Sequence, residues 1–299
     1  MTQILAALTH DYVVVASDRQ LTFTTGRWKG QIAYDNACKL VSLCGVWGIA
    51  YTGFSELQCI PTHKWIADRL AERSCRNPYF ASKILAEAAA PALRAAPYLL
   101  ELTFLIAGWA RLPDGQTLQP HFLLVSNMYD PSRERRPKPG LDFVSFERKL
   151  QTEQLYAGQL IGQPLPSGRE KSLGRFIRRT VQHRTGPKPV MEAFVRELVN
   201  TSGTRAQSTV GKKVLAFSIP RAAAERTYAT GEHEMLAMEP DLRRTTFCYF
   251  DPTDSEFQQY GPTYTCGEFV ATDIQTQNDL TRDSQSSQMR IRRLPQRNV

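Results

Sequence analysis

The sequence predicts an α+β protein, a four-layer αββα sandwich in which two antiparallel sheets lie between two layers of helices. Short apolar runs separated by turn residues fill the first part of the chain, as expected for buried strands. Two helical stretches and two further strands follow, and then two more helical stretches precede another strand. Blocks of strands that alternate with pairs of helices are typical of stacked layers of sheets and helices.

The first 53 residues contain four predicted strands. They are residues 4–8, 12–16, 39–43 and 47–51. Each is rich in aliphatic or β-branched residues and is bounded by polar or glycine residues, which favours strands over helices. We expect these four strands to form one compact antiparallel sheet with Thr2 at its first edge.

The middle of the chain predicts both helical layers and the rest of the strands. The predicted helices are residues 62–73, 79–95 with a break near Pro91, 171–183 and 189–200. The predicted strands are residues 102–108, 122–126, 155–160 and 214–219. A turn signal at Pro113-Asp114-Gly115 joins the first two of these strands, and residues 130–140 form an arginine-rich surface loop.

The chain divides into three predicted parts. Residues 2–220 contain the sandwich, and residues 221–274 form a C-terminal extension packed on it, with strands at 246–250 and 268–271. Residues 275–299 are polar and carry several arginines near the end, so we expect a disordered tail.

Thr2 is a candidate nucleophile because it directly follows the initiator methionine. Methionine is normally removed before such a small residue, so we expect a mature chain that begins with the free α-amine of Thr2. An α-amine titrates near pH ~7.7–8.0, so part of it is unprotonated at neutral pH. The hydroxyl and the amine of one residue can then serve as nucleophile and base.

The residues that follow Thr2 at fixed distances resemble a known family. Asp18 lies in an Ala-Ser-Asp turn after the second strand, Lys39 opens the third strand, and Gly53 closes the fourth. This order and spacing resemble the N-terminal half of proteasome β-type subunits and the bacterial HslV-type peptidase, both N-terminal-nucleophile (Ntn) hydrolases. Gln20, two residues after the aspartate, is similar to the HslV-type variant. The resemblance covers about residues 2–60, and the segment from Asp18 to Lys39 is a few residues longer than in the family.

The resemblance implies a role for each of these residues. Lys39 would lower the pKa of the Thr2 amine by like-charge repulsion, with Asp18 as its counter-ion. The backbone N–H of Gly53 would face the oxyanion formed when Thr2 attacks a carbonyl. Taken singly, Asp18 could be only a turn residue, Lys39 an exposed edge-strand lysine, and Gly53 a strand terminator.

Two supporting features of the family are poorly matched. Active members carry an Asp and, three residues later, a Ser near the last strand, and Ser208 is the candidate serine. The residue three before it is Arg205, which is not a carboxylate. A second family serine, in a Gly-Ser-Gly turn before the third helix, is replaced in the turn Gly162-Gln163-Pro164. The sequence therefore leaves open an inactive structural or regulatory relative.

Composition limits the remaining possibilities. No apolar stretch approaches the roughly 18 residues of a membrane-spanning helix, and the break at Thr9-His10-Asp11 argues against a signal peptide, so we expect a cytoplasmic protein. The six cysteines lack metal-site spacing and the five histidines are scattered, so we expect reduced thiols and neither a metal nor another cofactor. The net charge of +8 admits a basic nucleic-acid-binding module, but no nucleic-acid-binding motif accompanies it.

The sequence thus favours a threonine-type amide hydrolase, most simply a proteasome-like peptidase. The candidate catalytic residues are Thr2, Asp18, Lys39, Gly53 and Ser208. The resemblance implies a peptide or other amide as substrate and assembly into a homo-oligomer, and we expect neither a membrane nor a nucleic acid as partner.

Overall fold

A computed structural model describes residues 2–23, 27–28, 31–73, 75, 77–96, 99, 101–112, 114, 116–203, 210–230, 236–237, 244–252, 258–264, 269–276 and 287–293 of the 299-residue chain. The strands in this part are β1 (Gln3–Thr9), β2 (Tyr12–Asp18), β3 (Leu21–Thr22), β4 (Ile32–Tyr34), β5 (Leu40–Leu43), β6 (Trp47–Thr52), β7 (Glu56–Leu57), β8 (Ile60–Pro61), β9 (Thr103–Arg111), β10 (Leu118–Ser126), β11 (Val144–Lys149), β12 (Tyr156–Gly162), β13 (Val214–Pro220), β14 (Leu236–Ala237), β15 (Thr245–Phe250), β16 (Gln258–Tyr264), β17 (Phe269–Thr276) and β18 (Ser287–Arg293). The helices are α1 (Thr62–Glu72), α2 (Pro78–Arg94), α3 (Arg169–Gln182), α4 (Lys188–Gly203) and α5 (Arg221–Thr230).

Two seven-stranded sheets contain most of these strands. The first sheet has the order β12-β1-β2-β13-β15-β16-β14, and the second has the order β11-β10-β9-β6-β5-β17-β18. Every described pairing within them is antiparallel. The predicted α+β class with antiparallel sheets is therefore confirmed.

Both faces of the first sheet are buried, and β1 shows why. Its residues alternate between two apolar clusters, because successive side chains of a strand point to opposite faces. Ile4, Ala6 and Leu8 belong to a cluster that also contains residues of the second sheet. Leu5 and Ala7 belong to a cluster with residues of α3 and α4.

The helices contact the sheets in two pairs. Helices α1 and α2 contact β17 and β10 of the second sheet, whereas α4 contacts β2 and β13 of the first sheet and α3 contacts β12. The two sheets contact each other through β1 with β6 and β2 with β9. Helix α5 begins directly after β13 and packs back against that strand.

The expectation of a single N-terminal sheet is wrong. The four predicted strands correspond to β1, β2, β5 and β6, but the first two pair in one sheet and the last two in the other. Strand β1 also lies between β12 and β2, so Thr2 precedes an interior strand and not an edge strand. A run of buried apolar residues predicts a strand but does not specify its partner, because both faces of both sheets are covered.

The C-terminal segment is part of the two sheets. Strand β15 pairs with β13, and β17 pairs with β5, so sheet pairing crosses the boundary predicted at residue 220. Within the predicted disordered tail, β18 pairs with β17, and this differs from the expectation for those residues. Residues 277–286 and 294–299 of that tail lie outside the described part of the chain.

The four predicted helices at residues 62–73, 79–95, 171–183 and 189–200 correspond to α1–α4 within a few residues. Asn77 caps α2 by accepting hydrogen bonds from the backbone N–H groups of Tyr79 and Phe80. The break predicted near Pro91 is wrong, since α2 continues through it. Pro91 and Glu87, whose carbonyl loses its helical donor, both lie on the exposed face of α2, where water can replace the missing hydrogen bond.

Candidate active site

Asp18 and Lys39 form an ion pair in the interior. Lys39 Nζ lies 3.0 Å from Asp18 Oδ2, and both side chains are 0% exposed. Asp18 is the last residue of β2 in the first sheet, and Lys39 directly precedes β5 in the second. The ion pair therefore links the two sheets at one end, and the structure brings together two residues that the sequence identified separately.

The Asp18 carboxylate also accepts three backbone hydrogen bonds. The N–H of Gln3 donates to Oδ1 at 2.9 Å, and the N–H groups of Gln20 and Gly211 donate to Oδ2, each at 3.1 Å. These donors come from the start of β1, the segment after β2 and the segment before β13. Charge-assisted hydrogen bonds of this kind compensate a buried carboxylate for lost water. The bond from Gln3 fixes the peptide unit between Thr2 and Gln3 against the carboxylate.

Lys39 donates a further hydrogen bond to the backbone carbonyl of Gln20. Burial lowers the pKa of Lys39 from its ordinary value, and the Asp18 carboxylate opposes this shift by stabilising the ammonium. The lysine is thus held by two oxygen atoms in an environment that disfavours its charge. Perturbed ionisable groups of this kind occur at catalytic sites, although structural ion pairs show them too.

Thr2 lies at the entrance to β1 and lines a cleft of about 320 Å³. The residue is 6% exposed. Gly53 lines the same cleft from the end of β6, and Leu21 and Thr22 of β3 contribute another part of the wall. The structure therefore brings Thr2 and Gly53, from different sheets, to one cavity.

Gly53 occupies a position that only glycine fits. Its φ is +118°, a backbone conformation that residues with a Cβ rarely adopt. A Cβ at this position would also lie 2.0 Å from the carbonyl oxygen of Glu101. Glu101 itself lines the cleft, with Arg135 3.5 Å from its carboxylate, so a partly exposed ion pair forms the wall beside Gly53.

Gly162 lies against Thr2, a contact that sequence reasoning missed. Its φ is +89°, and a Cβ there would lie 1.8 Å from the Thr2 carbonyl oxygen. The next residue, Gln163, is buried, and its backbone carbonyl accepts a hydrogen bond of 2.8 Å from the Gln3 side chain. The turn in which the resemblance implies a serine is thus adjacent to Thr2, but it carries Gln163 instead. The available signal in the sequence is the glycine that ends β12.

Ser208, the remaining candidate, lies outside the described residues, as does Arg205. The nearest described residues of that segment are Val210 and Gly211, both buried. Gly211 belongs to the site because its backbone N–H donates a hydrogen bond to Asp18 Oδ2.

Arg19 is a second residue that the sequence did not identify. It is 1% exposed, and its guanidinium donates to the carbonyl oxygens of Asn36 at 2.8 Å and Ala37 at 3.1 Å. The same group lies over the Tyr249 ring, 4.9 Å from its centroid. Arg19 thus holds the segment that leads into Lys39. An arginine directly after the strand-ending aspartate was the signal that could have identified it.

A separate polar cluster joins α2 to the second sheet. The Tyr79 hydroxyl donates to Glu147 Oε1, and His121 Nδ1 lies 3.0 Å from that hydroxyl and 2.9 Å from the same carboxylate oxygen. Burial lowers the pKa of His121 despite the nearby carboxylate. Burial raises the pKa of Tyr79, and its hydrogen bond to Glu147 acts in the same direction. None of these three residues lines the Thr2 cleft.

Among the described residues, no group of three or more His, Cys, Asp or Glu side chains could hold a metal ion. None of the described helices combines the length and apolar character that a membrane span requires. No protein-family model matches the chain, and no curated protein sequence matches it significantly.

Proposed function

We propose that this protein is an N-terminal threonine amide hydrolase, most simply a proteasome-like peptidase. One observation carries the proposal: the buried Lys39–Asp18 pair is hydrogen-bonded to the backbone N–H of Gln3, directly after Thr2. Thr2 in turn shares a cleft with Gly53. A candidate nucleophile, a charged pair bonded to the adjacent peptide unit and a glycine backbone in the same cleft match the parts that acyl transfer requires.

In this proposal Thr2 supplies both nucleophile and base. Its hydroxyl attacks the amide carbonyl while its free α-amine accepts the hydroxyl proton. The Lys39 ammonium keeps the amine unprotonated by like-charge repulsion. The Gly53 N–H donates to the oxyanion, the amine product leaves with the transferred proton, and water then hydrolyses the ester on Thr2. The mechanism requires cleavage of the peptide bond that precedes Thr2.

The proposal extends to the fold. The contacts between the two sheets, and of α1–α2 and α3–α4 with opposite sheets, support a four-layer αββα sandwich of the Ntn-hydrolase type. We also propose assembly into a homo-oligomer and a cytoplasmic location. The five cysteines of the described part are free thiols, which supports that compartment.

Hydrolysis of quenched-fluorescent peptides by matched variants tests the proposal. Thr2→Ala is expected to abolish turnover, and Thr2→Ser to retain it, because serine also offers a hydroxyl and an α-amine. Thr22→Ala is the control, since Thr22 lines the same cleft without a proposed chemical role. Intact mass is measured on each preparation to show that the chain begins at residue 2. Turnover that survives in Thr2→Ala would refute the proposal.

A second candidate is a non-catalytic relative with the same fold. It is favoured by Gln163, a buried residue that directly follows Gly162 and stands where the resemblance implies a serine. A wild-type chain that begins with Thr2, is folded and hydrolyses no peptide would favour this alternative. A chain that retains Met1 would have a blocked amine and would also exclude the proposed mechanism.

A further inference from the structure

A second and larger cleft lies on the outer side of the first sheet, between β12 and α3. Its volume is about 650 Å³, within the size range of ligand and peptide pockets, and Thr2 does not line it. Apolar side chains of the cleft come from β12, α3 and the segment between them, among them Leu160, Leu165, Leu173 and Ile177. Charged side chains of both signs, including Arg178 and Glu153, also line it. A cavity with both apolar and charged walls suits an amphipathic chain better than a single small anion.

Strand β12 is the outermost strand of the first sheet. In the part of the chain that the structure describes, no strand pairs with its free edge. The Gly158 carbonyl oxygen on β12 accepts a hydrogen bond of 3.0 Å from Arg148, a residue of β11 in the other sheet. This backbone thus accepts a donor from outside its own sheet. Unpaired edges of this kind bind extended peptides by adding a strand.

The two clefts meet on β12. Gln159 and Leu160 line both of them. The strand runs from Gly162, which lies against Thr2, to Tyr156, which lines only the larger cleft. Its seven residues span about 20 Å at ~3.3 Å per residue. A chain that lies along β12 would therefore pass continuously from the Thr2 cleft into the larger one.

We propose that β12 is a docking strand for an extended polypeptide, the segment of substrate on one side of the cleaved bond. The inference rests on the proposed function for its choice of occupant. The bound segment adds a strand at the free edge of β12 and places alternate side chains on the apolar residues of α3. The substrates are therefore polypeptides that continue for about six residues from the scissile bond, the length that β12 can pair, and not small amides.

A larger side chain at Gly158 would block the proposed path of the polypeptide along β12. A Cβ at Gly158 would meet Tyr156 at 3.7 Å and the Ala6 carbonyl at 3.9 Å, which are ordinary contacts. Gly158→Leu therefore fits the backbone, and its side chain projects from the same face as Leu160 into the larger cleft. Lys171→Leu is the matched control, because it adds the same side chain to an exposed position of α3 outside both clefts.

The test measures binding of fluorescent peptides to the full chain carrying Thr2→Ala. The first peptide is short and ends close to the scissile bond. The second extends it by six residues on the N-terminal side, and the third extends it by six residues on the C-terminal side. We expect one extended peptide to bind at least about tenfold more tightly than the short one, a gain that Gly158→Leu removes and Lys171→Leu retains. Equal affinity for all three peptides, or an extended-peptide affinity unchanged by Gly158→Leu, would overturn the inference.

This assay requires no turnover, so the docking strand and the proposed function are judged separately. Hydrolysis of the same peptides by the chain with Thr2 intact is measured in parallel. Absence of hydrolysis refutes the proposed function, while the binding comparisons still decide whether β12 is a docking strand.

Discussion

Asp18 and Lys39 are energetically the most demanding side chains of the site, because both are charged and fully buried. Removing two charges from water costs several kcal/mol per ion unless their attraction and additional hydrogen bonds compensate. Three backbone N–H groups on Asp18 and the Gln20 carbonyl on Lys39 provide this compensation. An apolar pair would avoid this desolvation cost, so the presence of the ion pair at this position is consistent with a chemical role.

Asp18→Asn tests the energetic part of this argument. We expect it to lower the free energy of unfolding by about 3–5 kcal/mol, because Lys39 would lose the carboxylate that compensates its buried charge. Denaturant titration measures the change. The control is Asp35→Asn, whose more exposed pair with Lys213 should contribute at most about 1 kcal/mol. An equal loss of free energy of unfolding in the two variants would show that the buried pair contributes no more to stability than the more exposed pair.

Gly53→Ala tests the oxyanion donor. The added Cβ would collide with the Glu101 carbonyl at 2.0 Å in a backbone conformation with φ +118°, so the backbone must move. We expect peptide hydrolysis to fall by about 100-fold, the usual effect of losing one oxyanion donor. Gly186→Ala is the control, since Gly186 also has a positive φ of +78° but its Cβ would meet nothing within 4 Å, and it lines neither cleft. An unchanged rate in Gly53→Ala would remove Gly53 from the mechanism.

At the scale of single residues, the sequence predicts the side chains of the candidate site but not the main-chain atoms that complete it. Thr2, Asp18 and Lys39 are visible in the sequence because their types and spacing carry the resemblance. The Gln20 carbonyl and the Gly211 N–H complete the site through main-chain atoms. Every residue has such atoms, so only the fold shows which of them reach the ion pair.

At the scale of elements, the Tyr79–His121–Glu147 cluster adds a polar contact between α2 and the second sheet. Tyr79 lies in the first turn of α2, whereas His121 and Glu147 belong to the adjacent strands β10 and β11. Burial disfavours the charged form of His121, and its pKa is lowered. The pKa of Glu147 is also lowered: burial opposes this, but the hydrogen bonds from Tyr79 and Lys149 stabilise its carboxylate.

Acid is therefore expected to destabilise this contact. Because its pKa is lowered in the folded protein, His121 stays neutral at pH values below ~6.5 where the same side chain in the unfolded chain takes up a proton. The contribution of His121 to the free energy of unfolding is therefore complete above pH ~6.5 and is lost as the pH falls through the lowered folded pKa. Glu147 acts in the same direction at lower pH, because its folded pKa is lowered too. Free energies of unfolding at about pH 7.5 and about pH 5.5 should differ less in His121→Gln than in the unmodified protein.

His10→Gln provides the control for that comparison. His10 lies in the β1–β2 turn, where its ring contacts the Gln154 carbonyl, far from α2 in sequence and outside the cluster. We expect this variant to retain the pH dependence of the unmodified protein. If His121→Gln retains it as well, the cluster does not control acid stability.

Strands with apolar runs were predicted well, and strands with polar residues were missed. β1, β2, β9 and β13 are almost entirely buried, so their sequences are distinctly apolar. β11 lies at a sheet edge and has only two apolar residues, Val144 and Phe146, and β16 and β18 are rich in polar residues. Such strands form because a neighbouring strand offers pairing partners, which a local pattern does not encode.

For the molecule as a whole, the two ends of the chain complete each other's sheets. β13 and β15 continue the sheet that β1 and β2 begin, and β17 extends the second sheet beside β5. The sequence predicts a boundary at residue 220 because the chain continues beyond what the resemblance explains. Sheet pairing across that boundary involves contacts distant in sequence, which local sequence patterns do not reveal.

A chain that ends at residue 220 is expected not to fold independently. Without β15 and β17, the edges of β13 and β5 would be left unpaired next to apolar surfaces, and such edges promote aggregation. Circular dichroism melting and size-exclusion chromatography measure the outcome. A chain that ends after Arg293 keeps every described strand and serves as the control. A soluble 220-residue chain with a cooperative transition would show that the extension is dispensable.

Mass spectrometry of the unmodified protein after treatment with a β-lactone tests the central claim most directly. The account predicts a single adduct, an ester on the hydroxyl of Thr2 in a chain that begins at that residue, and no adduct in Lys39→Met. A folded chain that begins with Thr2 but carries no label there, or carries it on the exposed thiol of Cys59, would contradict the account.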